Sequence, residues 1–188
     1  MCPCGGDRVK RHNQLRNILA GRARAAGLQP EVEKPNLLPP RPELQGGTED
    51  GSQPRGNGRR PADVWIATWN LHGPAAFDVA VTSGLRQGHL AASAADGSKA
   101  SMDYEVRKCH HLDTLQACAT EGLQFIPLVV EACGGGWGPT ALKTWRSLSA
   151  AIAARTSESS SVELQRLLQA LGIALHRENA RAIMRRLE

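Results

Sequence analysis

The segment RPADVWIATWNLHGPAAFDVAVT, residues 60–82, holds two apolar runs, and each run carries one aspartate. Asp63 opens the first run, which its β-branched and aromatic residues predict to be a strand over 63–69. Asp78 lies in the second run, a predicted strand over 76–82, and the turn sequence HGP lies between the two. Two adjacent antiparallel strands can bring two such carboxylates together at one end of a sheet.

A pair of carboxylates on neighbouring strands suits metal binding. Hard oxygen ligands with open water positions favour Mg²⁺ or Mn²⁺, and such an ion lowers the pKa of bound water and stabilises a pentacovalent phosphate. Glu33 is a candidate for a third carboxylate and Glu131 is a weaker one, while a nearby lysine could hold or activate the attacking water. The alternative is that Asp63 and Asp78 only begin strands at the protein surface.

The rest of the chain predicts a mixed α/β domain with a helical tail, in the order α, β, β, β, α, β, α and then helices. Outside the two strands above, the pattern predicts a helix over 8–26, a short strand within 29–38, a loop over 83–101, a helix over 102–120, a strand over 125–130, a helix over 139–155 and a final helical segment. The continuous apolar run FIPLVV at 125–130 is typical of a central strand covered on both faces. Ser160 and Glu163 form a capping-box pair before the last segment, which Gly172 could split in two. Residues 39–60 contain four Pro and five Gly, which predicts a flexible surface insertion.

Charge is distributed unevenly along the chain. Residues 1–60 carry 11 basic and 6 acidic groups, whereas residues 61–150 carry 6 basic and 8 acidic groups. A basic N-terminal part beside an acidic middle is expected of a phosphate-binding face next to a metal site, and a solvated basic helix is the alternative. The candidates for contacts to nucleic-acid phosphates are Arg8, Lys10, Arg11, Arg16 and Arg60.

Composition narrows the class of protein. The 188 residues include 41% hydrophobic and 22% charged residues, which is ordinary globular usage. No apolar run approaches the ~20 residues of a membrane-spanning helix, and the N-terminus lacks the apolar core of a secretion signal. Five irregularly spaced cysteines argue for a reducing compartment. We therefore expect an intracellular protein without a membrane partner.

The N-terminus offers ligands for a second kind of metal. Cys2, Cys4 and His12 are three plausible Zn²⁺ ligands, and a structural zinc site needs four. The fourth could come from sequence upstream, or from His110 or His111 if the fold brings them there. The alternative is a frayed terminus with two free thiols. The remaining cysteines sit among apolar residues and are expected to be small core residues: Cys109, Cys118 and Cys133.

Taken together, these motifs resemble a known family. Pro61, Asp63 and Asp78 resemble the P-D-x(12–14)-D signature of restriction-like endonucleases, within the wider PD-(D/E)XK nuclease fold. More specifically, the chain resembles the C-terminal endonuclease of site-specific non-LTR retrotransposons, which follows a reverse transcriptase and a cysteine-histidine zinc knuckle. The segment CPCGGDRVKRHN resembles the end of that knuckle, and Tyr104 with Lys108 and the FIPL run before a Gly-Gly-Trp loop also fit.

The resemblance implies a fold and a division of the chain. The implied fold is a restriction-endonuclease-like mixed sheet flanked by helices, with a C-terminal helical tail. It divides the chain into a partial zinc knuckle over 1–12, an endonuclease domain over 8–155 that contains the insertion over 39–60, and a helical tail over 156–188. The chain would then be a fragment or a degenerate copy that lacks its reverse transcriptase module.

The function implied by the resemblance is a metal-dependent endonuclease that nicks one strand of duplex DNA, in the nucleus when active. The alternative is a catalytically inactive remnant that still binds nucleic acid. The implied catalytic residues are Asp63, Asp78, Lys108, Glu33 and Tyr104, and the implied ligands of Mg²⁺ or Mn²⁺ are Asp63, Asp78 and Glu33.

Two departures from the family pattern affect this assignment. Ala62 stands between Pro61 and Asp63, so that the first motif reads P-A-D. Ala80 occupies the position two residues after the second acid, where the pattern has a lysine. In the retrotransposon endonucleases the lysine function lies on the following helix, which makes Lys108 the replacement here.

Overall fold

A computed structural model describes residues 6–40, 59–70, 72–85, 87–88, 90–133 and 136–187. This part of the chain contains six α-helices and four β-strands, with a turn of 3₁₀ helix (His111–Asp113) between α3 and α4. The elements are α1 (Asp7–Ala25), β1 (Pro30–Val32), β2 (Val64–Ile66), β3 (Ala75–Thr82), α2 (Leu90–Ala95), α3 (Lys99–His110), α4 (Thr114–Thr120), β4 (Gln124–Glu131), α5 (Pro139–Thr156) and α6 (Ser160–Met184). The chain is therefore mixed α/β and ends in a helix, as the sequence predicts.

The four strands form one mixed sheet in the order β1-β2-β3-β4. Strand β2 pairs antiparallel with both β1 and β3, and β3 pairs parallel with β4. The helices α2, α3 and α4 make the crossover that a parallel pair requires. The register sets Val64 opposite Phe77, so that Asp63, before Val64, and Asp78, after Phe77, become neighbours across the two strands.

The larger core lies between one face of the sheet and the helices α1, α5 and α6. Leu19, Trp145 and Leu171 from these helices meet Phe77 and Leu128 from the strands, and all five are fully buried. Burying one side chain of this kind contributes about 1.5–3 kcal/mol to stability. The C-terminal helix is therefore part of the same hydrophobic core as the sheet.

The opposite face of the sheet carries a smaller apolar cluster beneath α3 and α4. Ala76 and Phe125 from the strands meet Cys118 from α4. Burial raises the pKa of Cys118 to about 11, so this side chain stays a neutral thiol in the core, as predicted. Because side chains alternate along a strand, Asp78 shares the face of Ala76 and points toward α3. The prediction of a core position is wrong for Cys133, which is exposed.

The region between β3 and β4 differs most from the prediction. The predicted helix over 102–120 is broken, because Leu112 and Asp113 have positive φ angles of 55° and 54°. An aspartate tolerates this conformation better than most residues do, so the chain turns without Gly or Pro. The predicted loop over 83–101 contains α2, whose alanine-rich sequence favours a helix, and the start of α3.

Strand β4 has its predicted burial but not its predicted position. It is the last strand of the sheet formed by the described residues, although the FIPLVV run suggested a central one. Helices α3 and α4 cover one face, α5 covers the other, and an isolated bridge from Val130 to Trp137 protects part of the outer edge. The apolar run therefore indicates covered faces and does not locate the strand within the sheet.

The N-cap of the last helix lies one residue before the predicted cap, and the helix continues past Gly172, where a break was considered. Ser159 is the N-cap, and its hydroxyl accepts a hydrogen bond from the N–H of Val162 at 3.2 Å. Gly172 lies inside the continuous α6. The apolar face that α6 buries against α1 and α5 offsets the small helix-breaking tendency of one glycine.

Part of the predicted insertion over 39–60 lies outside the described residues, which omit 41–58. On either side of it, Leu38 and Arg59 exchange two backbone hydrogen bonds of 3.1 and 2.7 Å. Within the described ranges, no helix combines the length and the apolar character that a membrane span requires.

A buried carboxylate ties α3 to the start of α5. Glu105 is 4% exposed and accepts hydrogen bonds from the N–H groups of Thr140 at 3.1 Å and Ala141 at 3.2 Å. First-turn amides have no partner within their own helix, and a negative charge suits that end of the helix dipole. A Cβ on Gly138 would lie 2.1 Å from Glu105 Oε1, so this close approach requires glycine.

We expect Glu105→Ala to lower the free energy of unfolding by about 1–3 kcal/mol, because one buried and one partly buried N–H group would lose their acceptor. Urea denaturation followed by circular dichroism measures the change. Glu158→Ala is the control, because Glu158 is exposed and, among the residues that the structure describes, pairs only with Arg166, at 3.6 Å. It should cost less than about 0.5 kcal/mol. Equal losses in the two variants would contradict the capping role of Glu105.

Candidate functional site

Two aspartates lie side by side where β2 begins and along β3. The register that pairs Val64 with Phe77 makes Asp63 and Asp78 cross-strand neighbours. Each keeps only 9% of its surface exposed. Neighbouring buried carboxylates disfavour each other's ionisation, so the surrounding residues must supply positive charge or hydrogen-bond donors.

Asp63 is held from two sides. Its Oδ1 lies 3.1 Å from Nε2 of His12, which projects from α1. Its Oδ2 accepts a hydrogen bond from the N–H of Val79 at 2.8 Å. The hydrogen bond with Asp63 raises the pKa of His12 above its ordinary value, while burial opposes this rise. His12 is therefore more readily protonated here than in solution, beside the acid that it contacts.

Asp78 pairs with a lysine from the other helical layer. Lys108 on α3 places its Nζ 2.6 Å from Oδ2 of Asp78. Burial raises the pKa of Asp78, the ammonium of Lys108 opposes that rise, and the charge of Asp63 adds to it. The structure thus brings Lys108, the predicted replacement for the lysine absent at Ala80, to the second acid.

Both acids and their partners line one open cleft of about 420 Å³. Tyr104, one helical turn before Lys108, lines it as well, and the guanidinium of Arg107 lies 4.2 Å from the centre of the Tyr104 ring. Cations reach the cleft from α1 and from the chain before β2: Arg8, Arg11 and Arg60. All five predicted catalytic residues, Glu33 included, therefore line this one cleft.

Glu33 lines the cleft with its carboxylate turned toward arginines. Arg16 contacts its Oε1, and Nη1 of Arg60 lies 2.8 Å from its Oε2. Glu33 thereby holds two of the predicted phosphate-binding arginines in place, and its role as a metal ligand stays a prediction. Lys10 is exposed on α1, away from the lining of the cleft. The weaker candidate Glu131 ends β4 and accepts hydrogen bonds from the N–H groups of Gly84 and Cys133.

The predicted zinc ligands are only partly described. Cys2 and Cys4 lie outside the described residues, and His12 faces Asp63. Across the ranges that the structure describes, no group of three or more His, Cys, Asp or Glu side chains is arranged to hold a metal ion. The zinc site stays a prediction.

The position of His12 beside the acids was missed from the sequence. Arg8, His12 and Arg16 recur every four residues along α1, so they share one helix face. That spacing is the signal that could have placed His12 with the arginines of the cleft. Sequence proximity to Cys2 and Cys4 suggested a different partner.

This set of groups suits chemistry on a phosphate ester. Two acids can hold a divalent cation, a lysine can hold a water or a phosphate oxygen, and arginines can neutralise phosphate charge. No protein-family model and no curated protein matches the chain. The chemistry of these residues therefore carries the functional assignment.

We expect His12→Gln to destabilise the protein more at low pH than at high pH. The pKa of His12 is raised in the folded state, so its stabilising contribution is complete below the ordinary value of 6.5 and is lost as pH rises through the folded value. A loss of about 0.5–1 kcal/mol near pH ~6 should shrink toward zero near pH ~9.

Urea denaturation at both pH values measures this difference. His176→Gln, on the exposed side of α6, is the control and should change the free energy of unfolding by less than about 0.5 kcal/mol at either pH. A loss that grows with pH in the His12 variant would refute the contribution of the His12–Asp63 contact.

Proposed function

We propose that the chain is a metal-dependent endonuclease domain that nicks one strand of duplex DNA. The observation that carries the proposal is the cleft in which Asp63 and Asp78 lie side by side, with Lys108 2.6 Å from Asp78. Hydrolysis of a phosphodiester needs an activated water and positive charge near the phosphorus, and paired carboxylates with a lysine can organise both.

The two aspartate side chains suit Mg²⁺ or Mn²⁺ better than a metal ion whose ligands all come from the protein. Mg²⁺ usually keeps several waters and binds through one or two carboxylates together with phosphate oxygens of the substrate. Asp63 and Asp78 would hold the ion, since a carboxylate has about four lone-pair sites and their present contacts use only some of them. When bound, such an ion lowers the pKa of a bound water and neutralises charge on the phosphate. Glu33 would become a third ligand of the ion only if its carboxylate broke its contacts with Arg16 and Arg60.

Lys108 is the residue that would position the attacking water. Its ammonium has three N–H donors, so one can remain on Asp78 while another meets the water or a phosphate oxygen. His12 contacts Asp63, and when it is protonated its positive charge reduces the repulsion between the two acids. Tyr104 faces the same cleft and could donate its phenol hydrogen to the leaving strand.

Positive side chains around the cleft would hold the DNA backbone. Arg8 and Arg11 lie on one side of the acids, and Arg60 lies on the other side with Glu33. Guanidinium groups form two parallel hydrogen bonds to a phosphate, which gives orientation as well as affinity. Contacts of this kind fix the register of a duplex without reading its sequence.

The order of the elements supports the restriction-like resemblance. The first acid precedes the second strand, the second acid lies in the third strand, and the lysine comes from a helix after that strand. Helices flank the mixed sheet on both faces. Origin from a non-LTR retrotransposon, a reverse transcriptase partner and a nuclear location belong to the same proposal and follow from the resemblance alone.

A catalytically inactive remnant that binds nucleic acid is the second candidate. Lys108 and His12 already contact the two acids, and Ala80 occupies the position of the family lysine. A cleft that retains its arginines and satisfies its own acids can bind DNA without cutting it. The two candidates differ in whether a divalent cation turns binding into cleavage.

We expect Asp78→Asn to lower the rate of supercoiled-plasmid nicking with Mg²⁺ or Mn²⁺ by about 100-fold, because a metal ligand is lost. The protein should remain at least as heat-stable at neutral pH, because burial disfavours the Asp78 charge and the amide carries none. A plasmid assay and a thermal melt on the same preparations measure both effects.

Asp96→Asn is the matched control, because Asp96 is exposed in a loop and lies outside the cleft. It should nick as fast as the unaltered chain. Nicking that survives Asp78→Asn would rule out this site as its source. Duplex binding without any nicking by the unaltered protein would favour the inactive remnant.

A further inference from the structure

A second cavity, of about 280 Å³, opens where β3 and β4 end. In α/β sheets, ligands bind in the crevice beyond the carboxyl ends of the strands. Here that end of the parallel pair is enclosed by α1 on one side and α6 on the other. The lining residues used below are Arg8, Arg11, Val81, Thr82, Leu85 and Ala182.

The guanidinium of Arg11 is held in position within this cavity. Its Nη1 donates to Oδ1 of Asn179 at 2.7 Å, and Nδ2 of Asn179 donates to the carbonyl oxygen of Ala132 at 2.8 Å. Asn179 is buried. This relay connects α1, α6 and the end of β4, so Arg11 is positioned by three elements of the fold.

Arg8 and Arg11 bring two positive charges to the same space. They lie one helical turn apart on α1. Burial lowers the pKa of Arg11, and the nearby charge of Arg8 lowers it further. Over the described residues, neither arginine forms an ion pair with a carboxylate. An anion between them would relieve this repulsion and accept their remaining donors.

The acidic residues at the cavity are already paired with other arginines. Asp7 lies 2.7 Å from Arg185 and 3.3 Å from Arg181. Glu178 lies 2.8 Å from Arg181. These pairs fasten α1 to α6 and leave the charges of Arg8 and Arg11 without compensation from Asp7 or Glu178.

We infer that this cavity is a second phosphate subsite. It holds a phosphate group of the bound DNA strand other than the one that is hydrolysed. The inference rests on the proposed function. The cavity shares Arg8, Arg11 and Val81 with the cleft of the acids, so one strand can pass from one space to the other. Thr82 lies four residues beyond Asp78 on β3, about 13 Å away, so the two sites meet different phosphates.

The apolar part of the lining provides space for the sugar attached to that phosphate. Val81, Leu85 and Ala182 lie in the wall together with the two arginines. A site of this composition combines apolar walls with a few positioned charges, which is typical of small-ligand pockets. Leu85 is 66% exposed, so its replacement can change the charge of the cavity without disturbing the core.

Leu85→Glu tests the subsite by placing a carboxylate in its wall, and Leu85→Gln is the neutral control of similar size. Ile173→Glu adds the same charge at a 65% exposed residue of α6 outside the cavity. We expect Leu85→Glu to weaken binding of a fluorescein-labelled DNA duplex about fivefold to tenfold, and each control to change it less than about twofold. Fluorescence anisotropy in EDTA measures affinity without cleavage.

If Leu85→Glu and Ile173→Glu weakened duplex binding equally, the cause would be the added negative charge wherever it lies, and the subsite would be overturned. Unchanged affinity in Leu85→Glu, or no duplex binding by the unaltered chain, would overturn it as well. Inorganic phosphate alone is the second probe. If phosphate raises the melting temperature, and Leu85→Glu abolishes only that rise, the cavity takes a free anion and the strand assignment is wrong.

A different result would show that the endonuclease proposal is wrong. An unaltered chain that binds the duplex but never nicks a plasmid with Mg²⁺ or Mn²⁺ would remove the catalytic assignment. The weaker binding of Leu85→Glu would still support the phosphate subsite, because the anisotropy measurement contains no divalent cation.

Discussion

Two buried carboxylates lie beside each other on neighbouring strands, and the other groups of the site compensate for this placement. Asp63 receives His12 from α1, and Asp78 receives Lys108 from α3. These helices lie on opposite faces of the sheet, so the acids are the point at which both helical layers meet. The N–H of Val79 adds a main-chain donor from the sheet itself. The two acids thereby depend on all three layers of the fold.

Burying two neighbouring carboxylates lowers the stability of the folded state. Removing two ions from water costs several kcal/mol each unless charges and hydrogen bonds compensate, and burial still raises the pKa of Asp78 despite Lys108. Apolar residues of similar size would serve a merely structural role at least as well. The large core built by Leu19, Trp145 and Leu171 supplies the stability that offsets this cost. The metal binding proposed above, which needs negative charge in the cleft, would explain why the acids are there.

Local patterns in the sequence were sufficient for the four strands and for α1, α5 and α6, but not for the division of the crossover into α2, α3 and α4. The apolar pattern placed Asp78 in a strand, whereas Lys108 was chosen from the family resemblance, with which its helix face shared with Tyr104 is compatible. Features set by distant parts of the chain were not predictable. The edge position of β4 depends on how strands pair, and the contact between His12 and Asp63 depends on how α1 crosses the sheet. The turn at Leu112 carries no Gly or Pro signal.

The net charge of +5 describes the chain poorly, because two groups of arginines on α1 and α6 have different surroundings. Arg22 pairs with Glu163, and Arg181 and Arg185 pair with Asp7, so these cations fasten α1 to α6. Arg8 and Arg11 instead face the cleft and the adjoining cavity. The first group rigidifies the helix that carries the second, which keeps the unpaired guanidiniums in place at little further entropic cost when a phosphate binds. Affinity for a polyanion therefore depends on where the arginines face more than on how many there are.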